Sequence, residues 1–147
     1  MLVLAGSYGQ GSVSIDRVAA DQQISKRYLE HIFARLREAG IVSGTRGSKG
    51  GYVLLRDPKQ ITVGQVVRAV EGPLGPVLCV DAPRSCSRSG NCATHNLWLQ
   101  AARTLNALLD EHTIADLWAE QQKLNAAGAA RGAGQVGRVG RVGQVRQ

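Results

Sequence analysis

Four residues have the types and spacing to do chemistry together: Cys79, Cys86, Cys92 and His95. They include all three cysteines of the chain and one of its three histidines. Three sulfurs and a nitrogen make a complete set of four ligands, which iron–sulfur clusters and zinc both accept. The first two gaps are longer than the about two to four residues usual between paired zinc cysteines, which leans towards a cluster. Cys92 and His95 stand three apart at the expected start of a helix, so they can share a face. That helix start, with Arg84 and Arg88 nearby in sequence, favours thiolate over thiol and suits an anionic cluster. A thiol redox switch is a third use of the same cysteines. An odd, tightly spaced cysteine count points away from structural disulfides. His31 and His112 have no such company. His31 reads as a DNA or surface residue, and His112 as a helix-end residue.

The elements that must position these residues follow from apolar periodicity. "MLVLAG" reads as the end of an apolar helix. Ser14 is an N-cap for a helix carrying Ile15, Val18 and Ala19 on one face. Ser25 caps the next, in which Leu29, Ile32, Phe33 and Leu36 form a buried stripe and Gly40 supplies the left-handed stop. Two short helices in that arrangement make a helix-turn-helix. "IVSGT" and "GYVLL" then read as two strands, joined by "RGSKGG" as a basic hairpin tip, and the whole spells a winged helix. A further helix is capped by Thr62, with Val63, Val66, Val67 and Val70 as its stripe. "PLGP" breaks regular structure, and the cysteine segment reads as a loop. A long helix from about Thr94 to Glu111 carries Leu97, Ala101, Leu105 and Leu108 as one stripe, with Trp98, Ala102 and Leu109 broadening it. So wide a stripe, far from a small winged-helix core, predicts a second packing partner, and a dimer through this helix is the natural one. Thr113 caps a short helix from Ile114 to about Gln122.

The fold class expected is therefore mostly α with a small β-hairpin wing. Residues 1–72 form the winged helix-turn-helix, 73–93 the cysteine-rich loop, 94–125 the dimerisation helix and a short C-terminal helix, and 126–147 a disordered basic tail. The tail repeats Gly-Arg-Val and Gly-Gln-Val units with nothing to bury, and reads as solubilising, with non-specific nucleic-acid contact as the alternative.

Charge fits a DNA-binding front part. The net charge is +7, and residues 1–72 carry +4, residues 73–125 carry −1 and residues 126–147 carry +4. A recognition helix reads base edges from its N-terminal end, here Ser25, Lys26, Arg27, Tyr28, Glu30 and His31. Arg46 and Lys49 among the wing glycines can approach the DNA backbone or minor groove closely. No apolar run approaches the about 18 residues of a membrane helix. "MLVLAGSYG" lacks the basic start and apolar stretch of a signal peptide, so a cytoplasmic protein is expected. No dinucleotide fingerprint, P-loop or nucleophile–base signature is present, so neither an enzyme nor a small-molecule substrate is expected.

The motifs "ISKRYLEHIFARLREAGIV", "RGSKGGYVL", "ITVGQVVRAVEG" and "CATHNLW" resemble the Rrf-type winged-helix transcription regulators, and "CATHNLW" favours the IscR-like branch. The resemblance covers about residues 1–122. It implies a homodimeric regulator, read as a repressor, that binds a pseudo-palindromic double-stranded DNA operator. It also implies a 2Fe–2S cluster held by Cys79, Cys86, Cys92 and His95, with 4Fe–4S as the form in other branches. The family's recognition helix falls on Ser25–Ala39, its groove-reading glutamate on Glu30 and its wing arginine on Arg46. Iron–sulfur status, oxygen, redox state or nitric oxide would be the signal. Zinc or thiol-redox sensing without iron is the other reading of the cysteines. Two departures stand out: the first cysteine gap is one residue longer than the family's, and the chain reads as N-terminally truncated, starting partway through the first helix.

Overall fold

The computed structural model describes residues 1–45 and 50–135, with side chains as far as residue 128. Arg46 and Lys49 of the expected wing tip, and the tail from residue 136, lie outside the described residues.

Local sequence signals set most element boundaries. After α1 (Leu2–Gly6), α2 (Ile15–Gln22) begins where the Ser14 hydroxyl accepts the Arg17 amide, at 3.2 Å. α3 (Lys26–Glu38) begins where the Ser25 hydroxyl accepts the Tyr28 amide, at 3.3 Å. Each serine thereby satisfies an amide that the helix itself leaves without a partner. Between the two helices Gln23 takes a left-handed φ of 54°, an unusual role for a residue with a side chain. α3 stops at Gly40, which takes φ 66°. The Gly40 amide returns to Arg37 and the Ile41 amide to Leu36, both at 3.0 Å, which closes a Schellman motif over the buried pair Leu36 and Ile41.

β1 (Val42–Thr45) and β2 (Gly51–Leu54) pair antiparallel, with Val42 opposite Leu54 and Thr45 opposite Gly51. Val13 adds a bridge to the other edge of β2, exchanging two backbone bonds with Tyr52 of 3.0 and 2.8 Å. Gly51 is needed there, because a Cβ would lie 2.4 Å from the Val13 carbonyl oxygen. Tyr52 also stacks on Phe33 of α3, with ring centroids 4.2 Å apart, so the wing is fastened to the recognition helix.

α4 (Val63–Glu71) starts with a reciprocal capping box between Thr62 and Gln65. Val63, Val66 and Val70 of the expected stripe pack on the core, joined by Ala69. Val67 is half-buried but is not among the residues packed on it. The Arg35 guanidinium donates to the Val70 carbonyl, capping the end of α4 from α3. The single core gathers Leu4, Val18, Leu29, Phe33, Leu36, Ile41 and Ile61 among others, and Ile114 enters it from beyond the long helix.

The cysteine segment is more ordered than the expected loop. It contains a short helix, α5 (Leu78–Asp81), and two 3-10 turns, Pro83–Ser85 and Ser89–Asn91. Four residues are too few to show a periodicity, which is why α5 is invisible to pattern reading. α6 (Ala93–Glu111) falls where expected. α7 (Ile114–Gln135) runs beyond the expected end near Gln122 and over the first part of the expected disordered tail. The alanines from Ala126 onward explain this, since alanine is the best helix former and outweighs the few glycines. Trp118 of α7 lies over Gly6 of α1, where a Cβ would stand 2.5 Å from the indole, so α1 and α7 pack at close range. Among the described residues no helix is long and apolar enough to cross a membrane.

Candidate functional site

The N-terminal end of α3 presents the expected DNA-reading residues, but not all are equally available. Arg27, Tyr28, Glu30 and His31 are exposed, with Tyr28 at 53%. Ser25, Arg27, Tyr28 and His31 line one shallow depression. Arg27 and His31 are four apart and share a helix face. The Ser25 hydroxyl is committed to its capping bond. Lys26 is engaged as well, with its ammonium 2.8 Å from Asp16 on α2. The hydrogen bond that Lys26 donates to Asp16 raises its pKa, and the charges of Asp16 and Glu30 add to it. Asp16 was not singled out from the sequence. A carboxylate in the first turn of the helix preceding a recognition helix is the signal that would have found it. The second such pair, Arg17 with Asp21 at 3.6 Å, is a helical i,i+4 contact.

α5 carries Cys79 against α6. The Asp81 carboxylate accepts the Gly75 amide at 3.1 Å and closes the loop that leads into α5. The Ser89 hydroxyl donates to the Pro83 carbonyl at 2.9 Å and folds the segment around Cys86. His95 Nδ1 lies 3.5 Å from Cys79 Sγ. Cys92 occupies the N-cap position of α6 in an extended conformation. No side-chain capping bond from it meets normal geometry, yet the backbone amide of His95 favours the Cys92 thiolate and holds its thiol below the usual cysteine range. Burial opposes this, while Thr94 and the charge of Arg88 assist.

All three cysteines are free and half-buried. The structure thus brings Cys79 and His95 together and does not gather Cys86 and Cys92 around them. Among the described residues no group of three or more His, Cys, Asp or Glu is close enough to hold a metal ion.

α6 shows two distinct faces. Ala102 is buried, and Asn106 and Asp110 on the same face reach Arg68 of α4. Ala102 is thus the buried edge of the expected apolar stripe and Ala101 is half-buried, while Leu97, Leu105 and Leu108 stay open at 61%, 41% and 51% exposed.

A winged helix followed by a cysteine segment and a long helix is an arrangement with known relatives. The family model of Rrf2, an iron-dependent transcriptional regulator, matches residues 1–120. The chain belongs to the Rrf2 family. Among Rrf2 relatives, the HTH-type transcriptional regulator CymR of Bacillus subtilis is 35% identical over 117 residues, covering 80% of each chain. Its structure, that of the global cysteine regulator of B. subtilis, superposes with a TM-score of 0.66 at 34% identity, over 81% of this chain and 87% of that one. The HTH-type transcriptional regulator IscR of Klebsiella pneumoniae is equally similar, at 35% identity over 128 residues, 87% of this chain and 78% of that one. The structure of IscR from T. potens gives a TM-score of 0.67 at 32% identity, over 84% of this chain and 80% of that one. The protein is accordingly an Rrf2 DNA-binding transcription regulator of mostly helical, winged-helix fold, and these relatives are regulators rather than enzymes.

Proposed function

We propose that this Rrf2 protein is a homodimeric repressor whose operator binding is set by an iron–sulfur cluster, 2Fe–2S in the first instance and 4Fe–4S as the alternative, held by Cys79, Cys86, Cys92 and His95. The observation that carries the reading is the contact of His95 with Cys79 at the head of α6, with two more free thiols in the same segment. The donor set suits the group, since sulfur and imidazole are its usual ligands and no disulfide occupies the sulfurs. When bound, the cluster would supply a redox-active centre that oxygen, nitric oxide or iron shortage can dismantle. The chain's own part is to hold Cys79 on α5 beside His95, to keep Cys92 inclined to thiolate, and to tie the segment to α6. Cys86 lies between two 3-10 turns, and it and Cys92 would have to close on that pair.

On the DNA side, Arg27, Tyr28, Glu30 and His31 face the major groove. Ser25 and Lys26 flank them, and Arg46 and Lys49 serve as the wing contacts. The open row on α6 seals the dimer and so supplies two recognition helices to a pseudo-palindromic operator.

A second reading uses the same cysteines without iron, as a thiol or zinc sensor. The lowered Cys92 thiol favours it, as does the equal similarity to a global cysteine regulator. Purification without oxygen, followed by a visible spectrum and assays of iron, sulfide and zinc, separates the two. A red-brown protein with iron and sulfide in equal amounts is the expected result. A colourless protein, with or without stoichiometric zinc, overturns the cluster and leaves the DNA-binding half standing.

A further inference from the structure

α6 meets the winged helix at its C-terminal end through a dense set of bonds. The Asp110 carboxylate accepts from Arg68 Nη2 at 2.6 Å and from the Thr62 hydroxyl at 3.1 Å. Arg68 Nη1 donates to the Asn106 side-chain oxygen at 2.8 Å, so one guanidinium grips two successive turns of α6. Asp110 stands over the first turn of α4, where a carboxylate also suits the helix dipole. Gly64 makes the approach possible, because a Cβ there would lie 2.1 Å from the carboxylate oxygen.

The backbone adds to this. Thr62 and Thr113 form an isolated bridge, with the Val63 amide on the His112 carbonyl at 2.9 Å and the Ile114 amide on the Ile61 carbonyl at 2.8 Å. On the α6 surface the residues that grip α4 and the open row of Leu105 and Leu108 are roughly 100° or more of arc apart. One face of the helix therefore holds its own winged helix while the other is free for a second copy.

We infer that Asp110, clamped by Arg68 and admitted by Gly64, is the positioning residue of a joint that fixes each winged helix against α6 and thereby sets the half-site spacing the dimer accepts. The inference rests on the dimeric reading above. A rigid joint concentrates affinity on one spacing, because the second half-site is then met at high effective concentration only when the geometry matches. A loose joint spreads the same contacts over several spacings. The Asp110 carboxylate is bonded to Thr62 and Arg68 within the chain, so its effect is on geometry. The other tie to α4, from Arg35 to the Val70 carbonyl, links α4 to α3 and carries the set orientation to the recognition helix.

The test uses the full chain, an operator selected by the wild type from random DNA, versions of it with the half-sites moved one and two base pairs in and out, and a single half-site, all at one salt concentration. Asp110→Asn and Arg68→Ala are expected to lose roughly tenfold or more on the best-spaced operator. They should keep single half-site affinity and dimer mass, and their spacing profile should flatten. The double variant should lose no more than either single one, since both break the same joint. Gly64→Ala, which keeps both charged groups but displaces the carboxylate, should flatten the profile too. Variants that lose affinity equally at every spacing, or that retain the wild-type profile, overturn the joint. A wild type indifferent to spacing overturns the joint as well, whereas a monomeric wild type overturns the dimeric reading itself.

Discussion

Cys92 shows how one residue can be ready for chemistry with little structural duty. It stands at the head of α6, its thiol lowered by the His95 amide, and its side chain makes no capping bond of normal geometry. Cys92→Ala should therefore abolish visible cluster absorbance and leave the melting temperature and dimer mass close to those of the wild type. A variant that retains full absorbance would remove Cys92 from the ligand set. Single residues with local roles were legible in the sequence. Ser14, Ser25, Thr62 and Thr113 cap the helices they were expected to cap, because capping depends on a hydroxyl and an amide two or three residues on. Lys26 was not legible in the same way. Its bond to Asp16 joins two helices across a turn, marked in the sequence by no more than a carboxylate in the first turn of the preceding helix. The spacing pointed to Cys92 as the neighbour of His95, yet the side chain that meets the imidazole is that of Cys79, because its position depends on α5, which the sequence does not mark.

At the level of elements, α7 begins with a reciprocal cap. The Thr113 hydroxyl accepts the Asp116 amide at 3.1 Å, and the Asp116 carboxylate accepts the Thr113 amide at 2.9 Å and its hydroxyl at 2.6 Å. The Thr113 side chain and amide hold the Asp116 carboxyl below the usual aspartate range, assisted by the charge of His112 and opposed by burial. A carboxyl lowered on folding stabilises the fold fully above its unfolded pKa of about 3.9 and loses that contribution as pH falls through the folded value. Thr113→Ala should lower the melting temperature by roughly 3 °C at neutral pH. The gap should begin to narrow below about pH 3.9 and level off, without closing, only below the lowered folded value, where the carboxylate is protonated but the hydroxyl still caps the Asp116 amide. A gap that is constant from neutral to acid pH would show that the carboxylate takes no part. The element pattern itself was readable wherever a stripe was long enough, as in α3, α4 and α6. It failed at α5, which is too short for any periodicity, and at the end of α7, where low hydrophobicity hid a strong alanine propensity.

At the scale of the whole molecule, the open face of α6 decides how the protein meets DNA. Leu97, Leu105 and Leu108 are between 41% and 61% exposed, although they were readable in the sequence as one apolar stripe. The winged helix of the same chain does not cover them, since it is held on another face of α6 through Asn106 and Asp110. In the proposed dimer, packing this row against a second copy would remove the apolar surface from water and give one particle two recognition helices. Leu105→Glu puts a charge into that seam while leaving the monomer core untouched, because Leu105 is not among the residues packed on it. The variant should sediment as a folded monomer with an unchanged helical spectrum. Its operator affinity should fall by roughly a hundredfold, the avidity lost when two half-sites are no longer bound by one particle, while single half-site affinity holds. A dimer that survives the substitution would place the seam on another surface, and a monomer that keeps full operator affinity would show that the pair is assembled by the DNA rather than by α6.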